Sequence, residues 1–139
     1  MSYLRLRADS IVGALRTIAT ARGAVLVHCA AGKDRTGVVV ALALDAAGVD
    51  RGMIVADYLA SAERIDAIVA RLLGSALYRD HVMGHDAQQH APVRGTMERV
   101  FELVDERHGG SAAWLTANGL RERDLQLLRR RLRATQGAT

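Results

Sequence analysis

The sequence predicts an α/β fold that is mostly helical, and three observations lead to this prediction. Residues 24–28, Ala-Val-Leu-Val-His, form a short apolar run typical of a strand. Most of the other apolar positions recur at helical spacing in segments that end near glycine. Half of the 139 residues are hydrophobic and only 4% are aromatic, so Ala, Leu and Val must fill a core of closely packed helices. This length corresponds to one domain, residues 1–139.

The helices are predicted from apolar spacing and from the residues that begin and end helices. Residues 3–21 form the first helix, with Asp9 or Ser10 as a candidate N-cap and Arg22-Gly23 at its end. Residues 35–47 follow the strand and its loop, and Gly48 ends that helix. The remaining predicted helices are 51–73, capped by Asp50 and bent near Ser61, then 94–107, 111–117 and 121–134.

The segment from His28 to Gly37, His-Cys-Ala-Ala-Gly-Lys-Asp-Arg-Thr-Gly, contains both the only cysteine and the only lysine of the chain. A strand that leads into a loop and then a helix points backbone N–H groups into the loop, where Arg35 can bind two phosphate oxygens. The same field lowers a cysteine pKa from about 8.5 to roughly 3.5–7.5. Cys29 would then be a thiolate nucleophile at a phosphate site, as phosphoryl transfer through a phosphocysteine requires.

Other interpretations of this loop fit the residues less well. A Walker A loop needs Ser or Thr after the lysine and a glycine five positions before its second glycine, but Asp34 and Val27 occupy those positions. A buried structural cysteine is the simplest alternative. The Arg, the Lys and two glycines of the same loop make this alternative less consistent with the sequence. Rhodanese-like loops are usually one residue shorter, and thiol-dependent arsenate reductases usually need further cysteines.

The His28–Gly37 segment resembles the signature of cysteine-dependent protein tyrosine and dual-specificity phosphatases. Its Gly-Lys-Asp-Arg-Thr-Gly form is most similar to the bacterial branch that includes secreted mycobacterial tyrosine phosphatases, and the flanking sequences DAAGV, IVADYLAS and GGSAAWLTANGL are similar too. The resemblance implies a truncated phosphatase-like fold, mostly helical around a short parallel sheet. This chain matches the C-terminal part of the family's usual domain, and residues 51–90 lie where the family has a lid.

The resemblance also implies roles for individual residues. Cys29 would be the nucleophile, and Arg35 would bind the phosphate through two hydrogen bonds and stabilise the transition state. Thr36 would hydrogen-bond the departing thiolate, and Gly32 would allow the backbone to turn toward the phosphate. His28 would orient the loop through its ring, or would simply be packed at the end of the strand. The phosphate-binding residues would be Ala30, Ala31, Gly32, Lys33, Asp34 and Arg35.

Lys33 and Asp34 leave two questions open. A similar lysine occurs in phosphatases that accept phosphoinositides, and Lys33 adds positive charge beside Arg35. Asp34 is either the general acid or the residue that holds Lys33 or Arg35 in place. The family commonly takes its acid from an upstream loop, but Asp9 is the only upstream acid here and is better explained as a helix cap.

The sequence therefore predicts a phosphomonoester hydrolase that acts on phosphotyrosine, with phosphoserine, phosphothreonine or phosphoinositide as additional substrates. The alternative is a non-catalytic phosphate-binding module, a truncated pseudophosphatase. No cofactor or metal is expected, because Arg35 and the backbone amides supply the charge stabilisation. His81 and His85 are four residues apart, as in some metal sites, but the weakly patterned span 74–92 is better explained as a polar loop.

Charge and strand count bear on the partners. The net charge of +4 suits an anionic substrate, and the sequence has no nucleic-acid recognition motif. Arg129-Arg130-Arg131 and Arg133 form either a solvated helix face or a contact with anionic lipid headgroups.

Neither a membrane span nor a signal peptide is evident, so a cytoplasmic location or export by a signal-less route is expected. A lone strand must find a partner, which predicts a homodimer or a missing N-terminal half.

Overall fold

The computed structural model describes residues 2–84 and 87–133, and within these ranges every regular element is helical. The α-helices are α1 (Ser2–Leu6), α2 (Ala8–Thr20), α3 (Asp34–Ala46), α4 (Arg51–Ala60), α5 (Ile65–Leu73), α6 (Arg79–Val82), α7 (Arg94–His108), α8 (Ser111–Ala117) and α9 (Glu122–Arg133). Two short 3₁₀ segments cover Ser61–Arg64 and Ala87–His90. The prediction of a mostly helical chain is confirmed.

Helix α3 lies at the centre of the fold and contacts α2, α4, α7, α8 and α9. Helices that are apolar on most sides are buried in the core, and α3 follows this rule. Its buried residues are Val38, Val39, Ala41, Leu42, Ala43 and Ala46. The alanines let neighbouring helices approach closely. The loop that precedes α3 is therefore attached to the most enclosed element of the molecule.

Several predicted helix ends agree with the structure. The Asp50 side chain caps α4 by accepting a hydrogen bond from the Met53 N–H at 3.1 Å. The predicted helix 51–73 changes to 3₁₀ geometry at Ser61, which separates α4 from α5. Gly109 ends α7 with a φ of +78°, a left-handed conformation that favours glycine.

The N-terminal prediction needs a correction. Residues 3–21 form two helices that are interrupted at Arg7 rather than one continuous helix. Asp9 and Ser10 lie inside α2, and no side chain caps its first turn, so neither residue is the predicted N-cap. The Arg7 guanidinium instead hydrogen-bonds both side chains, which explains why these polar residues are tolerated there.

The predicted strand at 24–28 is wrong, and no strand occurs in the described residues. A strand exists only when a second segment completes its ladder, and the regular elements described around it are all helices. No backbone hydrogen bond joins residues 24–28 to the rest of the described chain. The segment still alternates as a strand would, because Val25 and Val27 are half-buried while Leu26 is 86% exposed. The implied short parallel sheet is therefore not found.

Three arginines of α9 bind backbone carbonyl groups, which the sequence did not indicate. Arg129 donates to the Ala46 carbonyl at 2.8 Å, and Arg133 donates to the Ala47 carbonyl, both at the C-terminal end of α3. Arg131 donates to two carbonyls between α2 and the loop segment. These three side chains thus bind carbonyl groups at or just beyond helix ends instead of forming only a solvated face. None of the described helices is long and apolar enough to span a membrane.

The region 51–90 divides into two parts. Helix α4 belongs to the main core, whereas α5 and α6 form a small separate apolar cluster of Ile65, Val69 and Val82, with Leu72 packed against it. The span 74–92 also contains α6 and a 3₁₀ segment where only a loop was predicted. The His81–His85 pair falls outside the described side chains.

One arginine joins three helices at the rim of the core. Arg51 at the start of α4 donates to Asp45 of α3 at 2.8 and 3.0 Å and to Asp105 of α7 at 2.6 and 2.8 Å. Its guanidinium also lies 4.6 Å from the centre of the Phe101 ring. Paired hydrogen bonds of this kind between guanidinium and carboxylate are the stronger class of ion pair.

We expect Arg51→Met to lower the free energy of unfolding by about 1–2 kcal/mol, because the arginine side chain is 37% exposed and water screens part of its attraction. Arg51 lowers the pKa of the Asp105 carboxyl below its ordinary 3.8. A carboxyl whose pKa is lowered by folding adds stability above its unfolded pKa and loses it as the pH falls. The difference between variant and wild type should therefore shrink below a pH of about 4.

Urea titrations at several pH values measure this free energy of unfolding, and Arg94→Met is the matched control. Arg94 forms a single 3.6 Å contact with Glu98, and both side chains are about half exposed, so its loss should cost less than about 0.5 kcal/mol. Equal effects of the two substitutions would show that the Arg51 network adds no more stability than an exposed ion pair.

Candidate active site

The loop Cys29–Lys33 connects the 24–28 segment to the first turn of α3. Gly32 adopts a φ of +71° within this loop. Residues with a Cβ atom rarely adopt that conformation, and a Cβ at Gly32 would meet no atom within 4 Å. Backbone conformation rather than space is therefore the reason for glycine at this position. The turn directs the following N–H groups back toward Cys29.

The Cys29 thiol is partly buried in the loop and its pKa is lowered. Partial burial alone would raise the pKa of this thiol. The Thr36 hydroxyl and the backbone N–H groups of Thr36, Gly32 and Lys33 outweigh that effect because they favour the negatively charged sulfur. Donors from the loop and from the first turn of α3 thus converge on one sulfur atom.

The Thr36 hydroxyl is buried and makes no hydrogen bond of good geometry with the described residues. It nevertheless lies close enough to Cys29 to lower the pKa of the thiol. A buried donor without a proper partner is unusual in a folded protein. This hydroxyl is therefore available to turn toward a sulfur anion, and its role in catalysis stays a prediction.

Arg35 is exposed and, within the described chain, forms no ion pair. It lines a cavity of about 580 Å³ together with Cys29. The other lining residues include Tyr3, Arg7, Val27, His28, Ala30, Thr36 and Tyr78. An unpaired guanidinium beside a thiol of lowered pKa gives this cavity the groups that bind and attack a phosphate.

Lys33 and Asp34 form a tight pair at the opposite side of the loop. The Lys33 ammonium donates to both Asp34 carboxylate oxygens, at 2.6 and 2.7 Å. The Lys33 side chain is only 9% exposed, whereas that of Asp34 is 57% exposed. The Tyr58 hydroxyl donates to Oδ1 of the same carboxylate at 3.0 Å. In this conformation Lys33 points to Asp34 rather than into the large cavity.

A second cavity, of about 320 Å³, lies between the loop and the α5–α6 cluster. Its loop side is formed by Ala30, Ala31, Lys33, Asp34 and Arg35, and its other side is formed mainly by Ile65, Ile68, Val69, Leu72 and Val82. The Arg71 side chain of α5 donates to the Ala30 carbonyl at 2.9 Å. This hydrogen bond attaches α5 directly to the loop that follows Cys29, and the lid role of residues 51–90 stays a prediction.

All the predicted site residues thus lie around one loop. His28 is exposed at the cavity wall and makes no hydrogen bond with the described residues, so its orienting role stays a prediction. Sequence reasoning missed Tyr58, Arg71 and Arg7. A buried tyrosine needs a partner for its hydroxyl, and this was the signal available for Tyr58 in a mostly apolar helix. Arg71 and Arg7 are ordinary surface arginines in the sequence.

We expect iodoacetamide to label Cys29 with a midpoint pH below that of the same thiol in the unfolded chain, because the donors of the loop favour the reactive thiolate. Inorganic phosphate should slow the labelling, and Thr36→Ala should move the midpoint upward. The rate can be followed by mass spectrometry without ambiguity, since the chain has one cysteine.

The chain unfolded in denaturant is the control, because its thiol has lost the donors of the loop. A native midpoint at or above the unfolded one would mean that Cys29 is an ordinary thiol.

Comparisons with known proteins agree with this geometry. The model of the tyrosine phosphatase family matches residues 1–134. The chain is 34% identical over 131 residues to the triple specificity protein phosphatase PtpB of Mycobacterium tuberculosis, covering 81% of this chain and 45% of that protein. It is 34% identical over 125 residues to a tyrosine-protein phosphatase of Nostoc commune, covering 84% and 42%. The chain thus spans less than half the length of these relatives, and it belongs to the tyrosine phosphatase family.

Proposed function

We propose that this protein hydrolyses phosphotyrosine through a phosphocysteine intermediate on Cys29. The observation that carries the proposal is the pairing of a thiol of lowered pKa with the unpaired guanidinium of Arg35 in one cavity. The names of the two relatives, a triple specificity phosphatase and a tyrosine-protein phosphatase, support the same reaction. A phosphate-binding module without activity would need Arg35 and the loop N–H groups but not a thiol of lowered pKa.

The first step transfers the phosphoryl group to the enzyme. The Cys29 thiolate attacks phosphorus, an S–P bond forms, and the bond between phosphorus and the ester oxygen breaks. Arg35 and the loop N–H groups bind the non-bridging oxygens as their charge changes. The departing oxygen takes a proton from the protonated form of Asp34, whose exposed side chain lines the second cavity together with Arg35.

The second step restores the enzyme. A water molecule attacks phosphorus and gives its proton to the Asp34 carboxylate. The S–P bond breaks, inorganic phosphate forms, and the sulfur leaves as a thiolate. The Thr36 hydroxyl turns to donate to that sulfur, which lowers the energy of the leaving group.

Phosphoserine, phosphothreonine and phosphoinositides are proposed as further substrates. The triple specificity in the name of the mycobacterial relative supports a broad range. The cavity walls carry both aromatic and cationic groups, Tyr3, Tyr78 and Arg7, which suits aryl phosphates and substrates with additional negative charge. Lys33 can serve such a substrate only after it leaves Asp34.

We expect Cys29→Ser to reduce hydrolysis of an aryl phosphate by roughly 10³-fold or more, because a serine hydroxyl is not ionised at neutral pH. Binding of inorganic phosphate, measured by thermal shift, should persist because Arg35 and the loop N–H groups are unchanged.

Arg35→Lys is the matched comparison, and it should weaken phosphate binding because an ammonium cannot make the paired hydrogen bonds of a guanidinium. Undiminished hydrolysis by the serine variant would remove Cys29 from the mechanism. Phosphate binding without turnover by the wild-type chain would favour the non-catalytic module.

Asp34→Asn tests the proposed acid. An alkyl phosphate has a poor leaving group, so its turnover should fall by about 10²-fold or more. Turnover of nitrophenyl phosphate should change by less than about threefold, since its leaving group hardly needs a proton. Steady-state rates of both esters give the comparison. Equal slowing would instead assign Asp34 the role of holding Lys33.

A further inference from the structure

We propose that Tyr58 is a positioning residue for the phosphate loop, which acts by holding the Asp34 carboxylate in its pair with Lys33. The proposal rests on the proposed function, because it adds a residue outside the loop to that reaction. Tyr58 lies on α4, 24 positions after Asp34 in the sequence, and is not part of the His28–Gly37 segment.

Three hydrogen bonds fix the Asp34 carboxylate. Oδ1 accepts from both Lys33 and Tyr58, and Oδ2 accepts from Lys33. Lys33 alone leaves the carboxylate free to rotate about the ammonium group, because an ammonium is a compact donor without a fixed plane. The Tyr58 hydroxyl approaches one oxygen from α4 and removes this freedom. The carboxylate then has one orientation in the lining of the second cavity.

The Tyr58 ring is itself held firmly. The residue is only 7% exposed and belongs to the main core. A Cβ at Gly37 would lie 3.0 Å from Tyr58 Cδ2 and 3.4 Å from the Met97 Cε, so the ring and Met97 of α7 both press on the first turn of α3. The absence of a side chain at Gly37 is what lets the ring reach the loop. Few positions of the hydroxyl are available to such a ring.

The Tyr58 hydroxyl keeps its proton at every pH where the enzyme would be assayed. Burial and the neighbouring Asp34 carboxylate raise the pKa of Tyr58 to about 12. The hydroxyl therefore acts as a constant donor to Asp34.

The consequence is a link between the rigid core and the reacting groups. Helix α4 packs in the main core through Ile54 and Val55. The hydrogen bond from Tyr58 therefore holds Asp34 in a fixed position relative to that core. Without the hydroxyl, Asp34 and Lys33 would still pair but would move together. The loop would then present the carboxyl to the ester oxygen for a smaller fraction of the time.

The test is a double-mutant cycle of Tyr58→Phe and Asp34→Asn, measured with an alkyl phosphate and with nitrophenyl phosphate. We expect Tyr58→Phe to slow the alkyl phosphate by roughly tenfold through kcat, with little change in KM and little change for the nitrophenyl ester. In the Asp34→Asn background, Tyr58→Phe should have no further effect on either rate, because an amide cannot protonate the leaving oxygen and its orientation no longer matters.

A second readout does not depend on activity. Lys33 is the chain's only lysine, so reductive methylation followed by peptide mapping reports on its ammonium group alone. We expect its labelling rate to rise severalfold in Tyr58→Phe and further in Asp34→Asn, since each substitution loosens the pair that keeps Lys33 9% exposed.

Ser61→Ala is the matched control. It removes a hydroxyl that donates to the Tyr58 carbonyl at 2.7 Å, at the end of the same helix, and does not touch Asp34. It should leave both ester rates and the Lys33 labelling unchanged. Independent, multiplicative effects of Tyr58→Phe and Asp34→Asn, or unchanged Lys33 labelling in Tyr58→Phe, would overturn the proposal. An inactive wild-type chain would refute the proposed function, and Lys33 labelling would still decide whether Tyr58 holds the pair.

Discussion

The convergence of hydrogen-bond donors on the Cys29 sulfur is the interaction on which the rest of the site depends. Those donors come from the loop and from the first turn of α3, and they can be held in place only if α3 itself does not move. The nearly all-round burial of α3 provides this. The central helix therefore has two functions, since it completes the core and carries the anion-binding loop at its N-terminal end.

Arginine side chains join the helices and loops of this fold, in which the described residues form no sheet. Arg131 ties α9 to the chain between α2 and the 24–28 segment, and Arg129 ties α9 to the end of α3. Arg51 joins the ends of α3, α4 and α7. Arg71 then connects α5, outside the main core, to the loop. Most of these contacts join elements that are distant in sequence, and the contact of Arg71 holds the loop itself.

The sequence specifies which residues share the loop of the site but not what surrounds that loop, and the reason is physical. Cys29 and Arg35 are close in sequence, so a local motif is sufficient to bring them together. Tyr58 reaches Asp34 through the packing of α4 on α3, which no local pattern encodes. The segment 24–28 was predicted as a strand from its apolar alternation, but a strand needs a neighbour, and its own residues do not specify one.

The central claim is that Cys29 carries the phosphoryl group during turnover. Rapid acid quenching of the wild-type chain with an aryl phosphate, followed by mass spectrometry of the Cys29 peptide, tests it most directly. We predict a phosphoryl adduct on Cys29 that forms within the first turnover and disappears when substrate is exhausted. Turnover with no adduct on Cys29, or an adduct on another residue, would contradict the account.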